Sequence, residues 1–277
     1  ARKNFTTGDG VRLSYLEAGS GQPFVMIPGW SQTAVQWHNQ IDHFAKTHRV
    51  IAVDMRGHGQ SDKPDYGYRV YRLAQDVREL MVALDLRDAV LMGHSMGCSV
   101  IWAYYDLYGA DRVAKLVLVD QSTFLSDHPN LSEDERVGLG AIFTPQATFE
   151  TAAALGGDEN GTVTAGFVGG MFCQGADPDL VAEAVELNLA FPRPHSGTLI
   201  IDHVHNDWQD VLPRIAVPTI CIGGKSSLVP WRSVEWQASQ IPGAKVDIFE
   251  TEQGGAHFMF MENPERFNRV VAEFLDD

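Results

Sequence analysis

Five residues, Gly93-His94-Ser95-Met96-Gly97, carry the sharpest chemical signal in the sequence. They follow an apolar run at 89–92 and open a helix-like stretch at 96–108. A serine between small residues at a tight strand–turn–helix junction is lifted clear of a sheet, where its hydroxyl can attack. That hydroxyl is a poor nucleophile until a base takes its proton, so a histidine must be brought to it. Of the ten histidines, His257 is best placed. It sits in Gln253-Gly254-Gly255-Ala256-His257-Phe258, after a strand-like run at 245–249 and before a final helix, on the same carboxyl rim as Ser95. His94 reads as packing inward, and His58, in Arg56-Gly57-His58-Gly59-Gln60-Ser61, as holding its turn by hydrogen bonds. The pair His203 and His205 has a two-residue spacing that suits a metal, but Asp202 and Asp207 complete no ligand pattern. A solvated or locally hydrogen-bonded pair is the reading, and no metal site is expected.

Elements must hold these groups in place. Residues 11–17 alternate at period two, and 23–27 and 50–53 are short apolar runs ending in Pro-Gly and Asp-Met-Arg-Gly-His-Gly. Between them, Val35, His38, Ile41 and Phe44 fall at helical spacing, and 69–86 carries a stronger stripe of Leu73, Val77, Leu80, Met81 and Leu84. With strands at 89–92 and 116–119 around the helix at 96–108, the alternation predicts a parallel sheet covered on both faces. The rhythm breaks from Gln121 to Val217, a stretch rich in Gly and Ala at 151–157 and 161–175, with helix-like pieces at 178–189 and 198–210. It resumes at 218–224, 234–240, 245–249 and 265–275. The expected organisation is one core, residues 1–120 and 218–277, with 121–217 inserted as a cap over the carboxyl ends of the strands, where open α/β sheets bind ligands.

Composition narrows the partners. A formal net charge of −15, from 21 Lys and Arg against 36 Asp and Glu, disfavours nucleic acid and other polyanions. Three cysteines without paired spacing, Cys98, Cys173 and Cys221, argue against a disulfide framework or zinc ribbon and suit a reducing compartment. No apolar run approaches the roughly 20 residues a membrane span needs. The opening Ala-Arg-Lys-Asn-Phe lacks the apolar stretch of a signal peptide, so a cytoplasmic protein with no membrane partner is expected.

Pro28-Gly29-Trp30, the run from Asp54 to Ser61, the Ser95 turn and Gly255-Ala256-His257-Phe258 together resemble the α/β-hydrolase fold superfamily, from the first strand to the final helix. The resemblance implies a mostly parallel eight-stranded sheet with helices on both faces and an inserted helical cap. It also implies an oxyanion hole made by the backbone N–H groups of Trp30 and Met96. One position departs from the family pattern. In Gly223-Gly224-Lys225-Ser226-Ser227-Leu228-Val229-Pro230, Ser226 stands where most members place the triad acid, and a serine carries no charge to steady an imidazolium. Asp120, ending the strand beside the nucleophile strand, is the expected substitute, because some members carry their acid there.

The implied reaction is hydrolysis of a hydrophobic small-molecule ester or lactone by Ser95, His257 and Asp120. Trp30, Phe124, Phe143 and Met171 are expected to contact the substrate, and no metal or organic cofactor is called for. A second reading follows from the same resemblance. Cofactor-independent dioxygenases that open 3-hydroxy-4-quinolone rings share this fold, the Pro-Gly-Trp loop and an acid at the Asp120 strand end. Their elbow typically reads His-Ser-His-Gly, whereas this chain has His94-Ser95-Met96-Gly97. Members once called non-haem haloperoxidases carry Ser-Met-Gly but keep the acid missing at Ser226. A non-catalytic ligand-binding module stands further off because Ser95 and His257 are both intact. A homodimer built through the cap is the assembly left open.

Overall fold

A computed structural model describes all residues, 1–277. Eight strands form one sheet: β1 (Arg2–Thr6), β2 (Arg12–Ala18), β3 (Gln22–Ile27), β4 (His48–Val53), β5 (Ala89–His94), β6 (Val113–Val119), β7 (Thr219–Gly224) and β8 (Lys245–Phe249). Their spatial order is β1-β2-β4-β3-β5-β6-β7-β8. β2 pairs antiparallel with both β1 and β4, and every other pairing is parallel. β1 is the strand that periodicity does not announce; it is short, largely exposed and at the sheet edge.

Side chains alternate across the sheet, as strand geometry requires. Val25, Ile27, Leu91 and Leu116 enter one apolar core, while Phe24, Met26, Val90 and Val117 enter the other on the opposite face. The first core receives α2 (Val70–Ala83) and α3 (Met96–Tyr108), which bury Leu73, Val77, Val100 and Ile101. The second receives a 3₁₀ turn (Ala34–Trp37) and Phe44 from the helix it leads into, α1 (His38–Phe44).

Between β6 and β7 the chain forms α4 (Glu133–Leu139), α5 (Pro145–Gly156), α6 (Thr162–Gly169), α7 (Pro178–Leu189) and α8 (Arg193–Val204). α7 coincides with the helix-like piece at 178–189, whereas α8 starts and ends earlier than 198–210. The Gly- and Ala-rich stretches fold into α5 and α6 rather than loops. Their small residues permit close helix approach: a Cβ on Gly197 of α8 would lie 2.5 Å from the Ala152 carbonyl oxygen of α5. The core then closes with α9 (Trp231–Gln240), α10 (Met259–Glu262) and α11 (Pro264–Asp276). No helix is long and apolar enough to cross a membrane.

Candidate active site

Ser95 sits at φ 54°, ψ −126°, a sparsely populated conformation held by its surroundings. Its N–H donates to the Val119 carbonyl (2.8 Å), fixing it beside the end of β6. The flanking glycines are required by close approach. A Cβ on Gly93 would lie 2.5 Å from the Gly97 backbone, and one on Gly97 would lie 2.3 Å from the Ile27 carbonyl oxygen. The turn therefore presents the serine hydroxyl at the carboxyl edge of the sheet, half-buried, where it lines a cavity.

The neighbouring strand delivers Asp120, also at positive φ (55°) and buried. His257 Nδ1–H donates to Asp120 Oδ2 at 2.6 Å, and the Ser227 hydroxyl donates to the same oxygen. Burial pushes the Asp120 carboxyl above its ordinary value, opposed by the bonds from His257 and Ser227. With Nδ1 engaged by the carboxylate, His257 keeps Nε2 for other work. Ser226, at the usual acid position, turns away and its hydroxyl meets that of Thr251 (2.7 Å). The residue that sequence reasoning missed is its neighbour, Ser227, which braces Asp120. Ser227 is itself set by the Val229 N–H, which donates to its hydroxyl oxygen (3.1 Å).

His257 is also held through its backbone. Its N–H donates to the Met171 carbonyl (3.0 Å), and His94 Nε2–H donates to its carbonyl oxygen (2.7 Å). His94 Nδ1 lies 2.9 Å from Gln32 Oε1, so this buried ring sits between the His257 loop and the loop after β3. Burial drives the His94 pKa well below its ordinary value and keeps the ring neutral. His58 does what its turn implies and more: Nδ1–H donates to the Arg56 carbonyl (2.9 Å), while Nε2 accepts the Ser31 N–H (3.0 Å).

The loop after β3 is fixed on both sides of Trp30, because Gly29 N–H donates to Gln32 Oε1 (3.0 Å) just as Ser31 N–H donates to His58. Asp54 braces the loop further on by accepting the Ala34 N–H (2.7 Å). The Met96 N–H, at the first turn of α3, has no intrahelical partner. The Trp30 side chain anchors the insertion by donating from Nε1 to the Ser196 carbonyl (2.9 Å), and its ring meets Phe167 edge-on at 5.6 Å.

The cavity is narrow, about 50 Å³. Ser95 and His257 line it together, without a direct hydrogen bond between them, along with Trp30, Phe143, Met171 and residues of α8. Of the four expected contact residues, Trp30, Phe143 and Met171 line this cavity. Phe124 does not: it lies outside the lining and its ring stands 6.1 Å from that of His128. Neighbouring side chains of an extended segment face opposite ways, and here Leu125 takes the inward position. The expectation for His203 is also corrected. His205 is exposed and bonds the Ile201 carbonyl (2.8 Å), but His203 is buried and lines the cavity. The signal was helical spacing, since Ile200, His203 and Val204 share one face. No cluster of His, Cys, Asp and Glu could hold a metal ion.

Residues 22–264 match the family model described as the alpha/beta hydrolase fold. The chain belongs to the α/β-hydrolase family. A non-heme haloperoxidase from Rhodococcus erythropolis is 37% identical, with 98% of each chain covered. Among solved structures, a bromoperoxidase from Bacillus anthracis superposes with a TM-score of 0.90 at 24% identity over 100% of both chains. An esterase from Exiguobacterium antarcticum superposes with a TM-score of 0.86 at 25% identity over 99% of both. This α/β hydrolase accordingly has relatives named for ester hydrolysis and for halide chemistry on the same sheet.

Proposed function

We propose that this α/β hydrolase cleaves an uncharged, hydrophobic carboxylic ester or lactone through an acyl-enzyme on Ser95. The observation that carries the reading is the 2.6 Å bond from His257 Nδ1 to the buried Asp120, beside a serine on a strained turn in the same cavity. Asp120 fixes the tautomer in which His257 Nε2 is unprotonated and can take the Ser95 proton. Ser95 Oγ then attacks the carbonyl carbon, and the N–H groups of Trp30 and Met96 receive the developing oxyanion. Protonated His257 returns the proton to the departing alkoxide, and a water activated by the same imidazole releases the acid.

Substrate polarity follows from the lining, which contains no Asp, Glu, Lys or Arg. An ionic substrate would lose hydration there without a counter-charge. We read residues 121–217 as the cap that supplies the apolar side of this cavity, over a core of 1–120 and 218–277.

The test follows acid release and oxygen uptake separately with 4-nitrophenyl butyrate, dihydrocoumarin and a 3-hydroxy-4-quinolone, and adds fluorophosphonate labelling. Acid release with a single label on Ser95 is expected. Oxygen uptake without labelling would overturn the reading in favour of ring-cleaving dioxygenation.

A further inference from the structure

Three histidines other than His257 are buried in this hydrolase, and two of them have a polar neighbour at each ring nitrogen. His58 and His94 each place both ring nitrogens within hydrogen-bond distance of named partners. His203 differs. It is 5% exposed, its Nδ1 is fully buried without a partner, and its ring lines the cavity that holds Ser95 and His257. A buried polar atom left unpaired is costly, so such a group calls for an explanation. No carboxylate lines the cavity to pair with it; the lining's other polar residues are Ser95, His257, Gln32, Gln121 and Asn188, and the rest is apolar.

We propose that His203 recognises a second, non-scissile oxygen on the substrate, a hydroxyl or keto group carried on an otherwise apolar and uncharged body. The proposal rests on the reading of this cavity as the substrate site, and it adds the feature by which that site selects. A neutral imidazole offers one donor and one acceptor, which suits a hydroxyl or a carbonyl and gives a carboxylate no counter-charge. Neutrality follows from the surroundings: burial, with a smaller contribution from His257, lowers the His203 pKa to about 3. A largely apolar pocket distinguishes substrates in part by whether an unpartnered polar group in it is satisfied or left unpaired.

The experiment uses two ligands of equal size, 3-propylphenol and 3-propyltoluene, binding to the Ser95→Ala protein, so that no turnover is needed. Replacing His203 by Leu in that background should weaken the phenol about tenfold relative to the toluene, and His203→Gln should retain part of the preference. Nitrogen-15 spectra of labelled histidine supply a readout independent of any His203 substitution. The phenol should shift the His203 ring nitrogens as a hydrogen bond forms, and the toluene should not. Equal changes for the two ligands in the variants, or a His203 ring indifferent to the phenol, would overturn the proposal. Fluorophosphonate labelling of the unsubstituted protein reports separately on Ser95 chemistry, so failure of the hydrolase reading is distinguishable from failure of this one.

Discussion

On the strand-end side of the cavity, polar groups are bonded to one another. His94 bonds the His257 carbonyl, Gln32 and His58 hold the Gly29 and Ser31 N–H groups, and Asp120 receives both His257 and Ser227. On the insertion side, Phe143, Phe167, Met171, Ile200 and Val204 line the cavity with apolar surface, and the buried His203 Nδ1 has no partner. The contrast separates two tasks. Bond-breaking groups must be preorganised before the substrate arrives, so their hydrogen bonds are made within the protein. A selecting surface works by leaving a bond for the ligand to complete.

Changes on the first side should cost rate. His257→Gln removes the proposed base and should lower kcat by about 10⁴-fold or more with the fold retained, measured by ester turnover alongside circular dichroism. The same side should also make the protein sensitive to acid. His58 and His94 titrate below their unfolded value of about 6.5, His58 at about 4, as does His203 at about 3 across the cavity. Over that interval the unfolded chain binds protons that the folded chain refuses. Their stabilisation is therefore complete above about pH 6.5 and falls as pH drops toward 4, by up to about 1.4 kcal/mol per pH unit for each ring. Urea unfolding at pH 7 and pH 5 checks this, and replacing His58 by Gln should flatten the slope.

A smaller effect is expected from Ser227→Ala, which removes one donor from Asp120 while leaving its bond to His257. The kcat should fall about tenfold, and the acidic limb of the pH–rate profile should move, because the carboxylate loses a stabilising bond. The smallest pair sharpens the boundary of the second side. Phe143→Ala should raise KM several-fold for a hydrophobic ester, whereas Phe124→Ala, outside the lining, should leave kcat/KM within about twofold.

Much of the strand-end side is legible in the sequence because local chemistry specifies it. The strand, the small-residue turn and the helix around Ser95 are contiguous, and the absence of an acid at Ser226 directs attention to Asp120 one strand away. The insertion side is harder to read because its geometry comes from helix packing. Gly and Ala in α5 look like loop composition until its close approach to α8 gives them a purpose. His203 reads as half of a surface pair because its spacing to His205 is more conspicuous than its helical register with Ile200 and Val204. Phe124 and Leu125 illustrate the same limit, since only the path of an extended segment decides which of two neighbouring apolar residues faces inward. Ser227 escaped notice because bracing a carboxylate on another strand leaves no motif.

The most direct test of the proposed Ser95–His257–Asp120 unit is the rate of fluorophosphonate labelling of Ser95 in Asp120→Asn, compared with Ser226→Ala. If Asp120 holds the His257 tautomer, labelling should slow by about 10³- to 10⁴-fold in Asp120→Asn and stay unchanged in Ser226→Ala. Equal labelling rates in Asp120→Asn and the unsubstituted protein would contradict the account.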